Sequence, residues 1–376
     1  MKLTRRSMLG GAAGLAALTG LSACGGGREG TATSTTTSTS EASGSGQAAG
    51  GGFDAGSAIG VSLPWLGTQN WKEAQDMFKA DLESAGYKAV IQAADNKVAN
   101  QQSQIEAMIQ QGAKVIVVGP VDGKQLGTVL AKAHDAGVKV IGYDRLIENT
   151  TAIDGVVQFG SLRTGELQGQ ALLDGLKKLK GEGPYNIELF GGGPTDPNAP
   201  NFFKGAMKVL QPKIDDKTLV VVSGQTSFTQ AGTPDWDNAK AQSRMDTLLS
   251  GNYASKKIDG VLSPNDGIAR AILTSCKQAG QTVPVVTGLD AENESVSLVW
   301  KGDQYCTVYK PTNLLVGKTV ELIGAMQKGE ALPEPQEKAN NGKVDVPVYA
   351  LDPVVVTKDN AKEAFKDDAA RLALLK

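Results

Sequence analysis

Two successive runs of apolar strand, amphipathic helix and glycine stop constrain this chain more than any other feature. In the first run, Ala58–Leu63 reads as a strand, Trp71–Ala85 as a helix stopped by Gly86, and Lys88–Gln92 as the next strand. Asn100–Gln111 follows as a helix with Ile105, Met108 and Ile109 on one face, ended by Gly112. Lys114–Val118 is the kind of unbroken apolar strand that a parallel sheet buries on both faces. Gln125–Ala136 is a helix closed by Gly137, and Lys139–Gly142 is a strand. Alternation of this type requires right-handed crossovers and a doubly wound parallel sheet, so the fold class is α/β.

The second run begins near Tyr185. Asn186–Phe190, Leu219–Ser223, Gly260–Ser263 and Val283–Thr287 read as strands, and Asn201–Leu210, Ala239–Leu249 and Ile268–Ala279 as the helices between them. The two runs echo each other. Gly112–Gly123 (GAKVIVVGPVDG) parallels Lys257–Gly267 (KIDGVLSPNDG); each leads into a helix ending in Ala-Gly (Ala136-Gly137, Ala279-Gly280). Each then enters an apolar strand that finishes on an acid, Asp144 or Asp290. That order implies two duplicated lobes.

The N-terminus reads as an address. In residues 1–24, Lys2, Arg5 and Arg6 precede an apolar stretch from Leu9 to Leu21 that is too short and too rich in small residues for a membrane span. Leu21-Ser22-Ala23-Cys24 has the form of a lipobox, which would make Cys24 the acylated mature terminus and place the protein outside the cytoplasm, anchored to the membrane. Arg5-Arg6 fits a twin-arginine signal, and an ordinary secretory signal with two arginines stays open. Residues 25–54 are Gly, Ser, Thr and Ala with almost no large apolar side chain, a composition expected of a flexible tether. The GGGREG in this tract has the form of a dinucleotide fingerprint but lacks the preceding strand and following helix such a site needs.

Several function classes fall away. A formal charge of -2 provides no basic field for nucleic acid. The single histidine, His134, lies within a helix, so no His-based triad or His-rich metal site is available, and no cofactor is expected. Gly191-Gly192-Gly193 follows a strand as a phosphate loop would, but Asp196 stands where a glycine is needed and no Gly-Lys-Ser/Thr follows. Paired carboxylates leave an extracytoplasmic glycosidase open. Cys276 and Cys306 would pair outside the cytoplasm if close enough, and two separately buried thiols are the alternative.

Open α/β sheets bind ligands beyond the carboxyl ends of their strands. The polar and aromatic residues at those positions are Trp71, Asp144 and Arg145 in the first run, then Asn198, Asn265, Asp266 and Asp290 in the second. Trp236 lies in the loop before the Ala239 helix, and Lys310 follows the strand Tyr305–Tyr309. Carboxylates accept, Arg and Lys donate, Asn does both, and an indole packs against C–H groups, a combination that suits a polyhydroxylated ring. Asp144-Arg145 could instead be a local ion pair, and Asn265, Asp266, Asp290 and Asp122 could be helix caps or turn residues.

Asp95–Gly112, Val140–Ile147 (VIGYDRLI), Tyr185–Gly192 (YNIELFGG), Gly232–Asp237 (GTPDWD) and Leu262–Gly267 (LSPNDG) resemble the sugar-binding proteins of bacterial ABC importers. The group they are most similar to is that of the multiple-monosaccharide-binding and D-xylose-binding proteins. The resemblance implies a type I periplasmic-binding fold, with two doubly wound lobes joined by a three-strand hinge and crossings near Gly160, Lys310 and Val346. The N-terminal lobe would be 55–160 plus 311–345, and the C-terminal lobe 161–310 plus 346–376. It implies that Trp71, Asp144, Arg145, Asn198, Trp236, Asn265, Asp266, Asp290 and Lys310 line a monosaccharide cleft. It further implies a monomer without enzymatic activity that partners an ABC permease, with a sensory receptor as the rival partner. Asn70, where relatives often carry Arg, Leu289, in place of a polar residue, and Pro200-Asn201, in place of an apolar pair, leave the preferred sugar open.

Overall fold

The computed structural model describes residues 52–376. The signal segment with Cys24 and most of the expected tether lie outside the described residues. Phe53, placed by sequence at the end of that tether, belongs to the folded body. Its N–H donates to the Gln327 carbonyl at 3.0 Å and its ring packs on Tyr87.

The elements of the first lobe are β1 (Ala58–Leu63), α1 (Gln69–Ser84), β2 (Lys88–Ala93), α2 (Val98–Gln110), β3 (Val115–Val118), α3 (Gly127–Asp135), β4 (Lys139–Tyr143) and β5 (Gly155–Phe159). The chain then crosses into α4 (Ser161–Lys180), β6 (Tyr185–Leu189), α5 (Asn198–Asp215), β7 (Leu219–Val221), the short α6 (Phe228–Ala231), α7 (Asn238–Asn252), β8 (Gly260–Leu262), α8 (Asp266–Gln278), β9 (Val285–Val286), α9 (Asn293–Lys301) and β10 (Cys306–Tyr309). It returns through α10 (Thr312–Lys328), β11 (Glu337–Asn340) and β12 (Asp345–Leu351), then ends with β13 (Val354–Thr357), α11 (Ala361–Ala364) and α12 (Ala369–Leu372).

The larger sheet has the order β11-β12-β5-β4-β3-β1-β2, parallel except for the edge strand β11. The smaller has the order β7-β6-β8-β9, all parallel. Within each, the first strand of its run lies between the second and third, so β2-β1-β3-β4 and β7-β6-β8-β9 share one winding. The duplicated sequence pattern is therefore a duplicated topology. Gly137 and Gly280, which close the matching helices, both adopt the left-handed conformation, with φ of +75° and +67°.

The larger sheet is buried on both faces. Val115 and Val117 pack into one cluster with Trp71, Phe78 and Leu82 of α1, while Ile116 and Val118 pack into another with Ile105, Met108 and Leu130. Adjacent residues of one strand thus serve opposite layers, which explains the unbroken apolar run. In the smaller sheet Val261 and Leu262 divide in the same way.

One boundary needs correction. β12 pairs with β5 from Val348 to Leu351, so the larger sheet continues past the crossing expected near Val346. The side chains of Val346 and Val348 pack with Val156 and anchor it there. The C-terminal segment joins the other lobe only at β13, which pairs antiparallel with β10.

Of the two alternatives left open for the remaining cysteines, the structure has the second: Cys276 and Cys306 are free, buried thiols. Cys276 packs on α8 among Met245, Ile258 and Ile272, and Cys306 opens β10 with its side chain fully buried. Each is consumed by its own packing.

Candidate functional site

The loops after β1, β4, β6, β8, β9 and β10 converge between the two lobes around about 360 Å³ of empty space, counting solvent at its mouth. Trp71, Asp144, Arg145, Asn198, Trp236, Asn265, Asp290 and Lys310 all line it. The larger-sheet lobe provides the first three, and Lys310 stands where the chain crosses back to that lobe.

Trp71 is the third residue of α1 and is 3% exposed. Its indole packs on Tyr143 at 5.9 Å, and the Arg145 guanidinium lies 5.3 Å from the ring centroid. Gly119 makes room for it, since a Cβ there would lie 3.1 Å from the indole. Asp144 and Arg145 do not pair with each other. Lys310 Nζ sits 3.2 Å from Asp144 Oδ1 and 3.2 Å from Asp290 Oδ1, while Arg145 Nη2 lies 2.8 Å from Asp196 Oδ2. Burial alone would depress the Lys310 ammonium, but the two carboxylates outweigh it and hold its pKa above the ordinary lysine range. Arg145 Nη1 donates to the Pro120 carbonyl at 3.0 Å, and its buried Nε has no protein partner.

From the opposite lobe, Asn198 Nδ2 donates to the Asp144 carbonyl at 2.7 Å. Asn265 serves two roles at once: its Oδ1 caps α8 by accepting the Ile268 N–H at 2.9 Å, and the residue also lines the cavity. Trp236 Nε1 donates to Asp196 Oδ2 at 3.2 Å. The glycines that follow β6 are explained by this indole. A Cβ on Gly192 would come within 2.2 Å of the Trp236 ring, and one on Gly193 within 3.0 Å. Asp144, Trp236 and Asp290 all adopt left-handed backbone, with φ of +61°, +55° and +88°. Left-handed backbone at three non-glycine lining residues, one of them a tryptophan, persists only where the surroundings fix it.

Asp266 is placed differently from its sequence reading. It is fully buried behind the cavity, where its carboxylate accepts from Gln304 Nε2 at 2.9 Å, Thr307 Oγ1 at 3.0 Å and the Glu292 N–H at 2.9 Å. Burial pushes its pKa up to about 8. It supports the floor of the site and does not line it. Its counterpart in the first lobe, Asp122, is a turn residue accepting from the Lys124 N–H and Gln125 Nε2.

Sequence reasoning missed Asp196 and Phe202 as members of the lining. Asp196 is 4% exposed, and it holds Arg145, Trp236 and, through the Asn198 N–H at 2.9 Å, the start of α5. Burial lifts its pKa above the usual carboxylate range, against the pull of Arg145. It lies beyond a strand end and was legible by that rule. Phe202 sits one helical turn after Asn198 and stands under Lys310, 5.7 Å from Nζ to the ring centroid. Asn70 and Leu289, two of the departures from the family pattern, also line the cavity.

The periplasmic binding protein domain model matches residues 59–331. The chain belongs to that family. The multiple sugar-binding periplasmic receptor ChvE of Rhizobium radiobacter is 43% identical over 313 residues, covering 82% of this chain and 88% of that protein. The D-xylose-binding periplasmic protein of Escherichia coli (strain K12) is 34% identical, covering 82% and 89%. Among solved structures, an ABC transporter solute binding protein from Clostridium phytofermentans with bound β-D-glucose superposes with a TM-score of 0.81 at 35% identity, covering 85% of this chain and 100% of that one. This member of the family thus has the type I periplasmic-binding fold, and its relatives are solute-binding proteins rather than enzymes. Among the described residues, no helix is long and apolar enough to cross a membrane.

Proposed function

We propose that this protein captures a monosaccharide between its lobes and delivers it to the permease of an ABC importer, held at the membrane by lipid on Cys24. The observation that carries the reading is the lining of the cavity: indoles of Trp71 and Trp236 beside an array of three carboxylates, three amides, Lys310 and Arg145. A pyranose offers C–H faces to the indoles and hydroxyls that both donate and accept to the polar groups. Arg145 Nε, buried and unpartnered by protein, is a donor such a hydroxyl would satisfy.

The carboxylates support binding over hydrolysis. Asp144 and Asp290 share Lys310, and Asp196 is paired with Arg145, so each serves as a fixed acceptor with a cation beside it. The relatives' names speak for sugars as a class, and xylose, glucose and galactose are the first to test.

Calorimetry with xylose, glucose, galactose, arabinose and ribose checks the reading. At least one should bind, and Asp144→Ala should lose that binding while the ligand-free protein melts at nearly the same temperature. Unchanged affinity in Asp144→Ala would show that the cavity is not the sugar site.

A further inference from the structure

We infer that Gln69, on the larger-sheet lobe, and the Glu292-Asn293 corner of the smaller-sheet lobe form a closure latch that sets how long a bound sugar is retained without touching it. The inference rests on the sugar-binding reading of the cavity and adds a control that lies outside it.

The contacts are reciprocal and cross from lobe to lobe. Gln69 Nε2 donates to Asn293 Oδ1 at 2.9 Å, the Asn293 N–H donates back to Gln69 Oε1 at 2.8 Å, and the Gln69 N–H donates to Glu292 Oε1 at 3.2 Å. A second bridge lies beside them. Arg371 of α12 donates through Nη2 to both oxygens of Glu73, at 3.1 and 3.0 Å, and Gln69 Nε2 also reaches Glu73 Oε1 at 2.7 Å. Gln69, Glu292 and Asn293 are absent from the cavity lining.

What makes this corner a latch is its covalent and hydrogen-bonded tie to the ligand residue Asp290. Asp290 and Ala291 are consecutive non-glycine residues with φ of +88° and +48°, a strained turn that stays in place only because its surroundings fix it. The Asp290 N–H donates to the Val308 carbonyl at 2.8 Å, the Ala291 N–H to Thr307 Oγ1 at 3.1 Å, and the Glu292 N–H to Asp266 Oδ2 at 2.9 Å. Arg371 Nε donates to the Ala291 carbonyl at 2.7 Å, and Arg270 holds the Glu292 carboxylate at 2.6 Å. Asp290 at the cavity and Asn293 at the rim therefore move as one body.

Contacts that join the lobes exist only when the lobes are together. They raise the closed population for any ligand by one common factor, whereas a cavity contact changes the ranking among ligands. The two roles separate experimentally.

Stopped-flow tryptophan fluorescence of the full chain with D-glucose and with D-xylose, in wild type, Gln69→Ala, Asn293→Ala and the double variant, tests this. Gln69→Ala, which removes both bonds its side chain makes with Asn293, should release both sugars about ten-fold faster; Asn293→Ala, which removes only the bond to Oδ1, should speed both releases by a smaller common factor. Association rates and the ligand-free melting temperature should be unchanged. The double variant should be scarcely worse than Gln69→Ala, which already removes the one bond that Asn293→Ala breaks. Wild-type release rates would overturn the latch, as would unequal factors for the two sugars, which would make Gln69 a sugar contact. A lowered ligand-free melting temperature would make the pair an ordinary fold contact. A wild-type protein that binds none of xylose, glucose, galactose, arabinose and ribose would overturn the sugar reading itself, and with it the latch's purpose.

Discussion

Arg145 and Asp196 meet across the cleft with Nη2 2.8 Å from Oδ2, their side chains 6% and 5% exposed, although one belongs to the loop after β4 and the other to the loop after β6. Removing one partner of a buried ion pair leaves the other uncompensated, at a cost of about 3–5 kcal/mol. Here the pair joins the lobes, so the cost falls on the closed state. Asp196→Ala should weaken sugar binding at least ~100-fold by calorimetry, since every 1.4 kcal/mol is ten-fold. The melting temperature of the ligand-free protein should shift by no more than about 2 °C.

Lys310 is the sole cation between Asp144 and Asp290 among the described residues, 3.2 Å from each. In Lys310→Met, Asp290, whose carboxyl burial already holds above the usual range, faces Asp144 without the cation that opposed that rise. As pH falls through that raised pKa, Asp290 takes up a proton and the repulsion ends. The variant should bind sugar at least ~10-fold more weakly than wild type at pH 8, with part of the deficit recovered at pH 5. Calorimetry at the two pH values reads the difference, and a deficit independent of pH would contradict it.

Asp266 holds its proton in the folded state to about pH 8 because burial disfavours the anion. Between the ordinary carboxyl range and that value, the folded chain binds a proton that the unfolded chain has released. Stability therefore falls as pH rises through this window and levels off above it. Asp266→Asn removes the titration, so urea midpoints measured from pH 5 to pH 8 should decline less steeply in the variant than in wild type.

The crossing of α4 and α5 depends on Gly165 and Gly205. A Cβ on Gly165 would fall 1.9 Å from the Phe202 carbonyl oxygen, and one on Gly205 2.1 Å from that of Leu162. Both obstacles are backbone, which cannot rotate aside. Gly165→Ala should destabilise the protein by about 1–3 kcal/mol, the usual cost of overpacking. Gly317→Ala in α10, where a Cβ meets nothing within 4 Å, should be neutral or stabilising by up to about 1 kcal/mol. Urea unfolding compares them directly.

That crossing also shows where the sequence was hard to read. Strands such as Val115–Val118 and helices stopped by Gly137 or Gly280 declare themselves through apolar runs and left-handed glycines, and both windings were legible from them. The helix α4 was not, because Gly165, Gly169 and Gly175 lower its helix propensity; they are there for close contact with neighbours that local pattern cannot show. The strand-end rule located the polar lining, since each loop must empty toward the other lobe. It failed for Asp266, because residues one position apart at a helix start face opposite ways: Asn265 toward the cavity, Asp266 into the protein. The pairing of the thiols stayed open for a related reason, as spacing in sequence says nothing of which core each side chain enters.

The free thiols allow a clean check on that last point. Burial pushes both Cys276 and Cys306 up to about 12, so at pH 8 almost none of either is the reactive thiolate. Cys276 is 1% exposed and Cys306 fully buried, which closes the approach of a reagent as well. Incubated with iodoacetamide in the native state without reductant, neither residue should be alkylated over hours. In 6 M guanidinium, still without reductant, the peptides carrying both should be labelled to completion. If labelling of the unfolded chain required a reductant, the two cysteines would be joined. If Cys276 alone reacted in the native state, α8 would be opening locally, and hydrogen exchange along Asp266–Gln278 would rise with it.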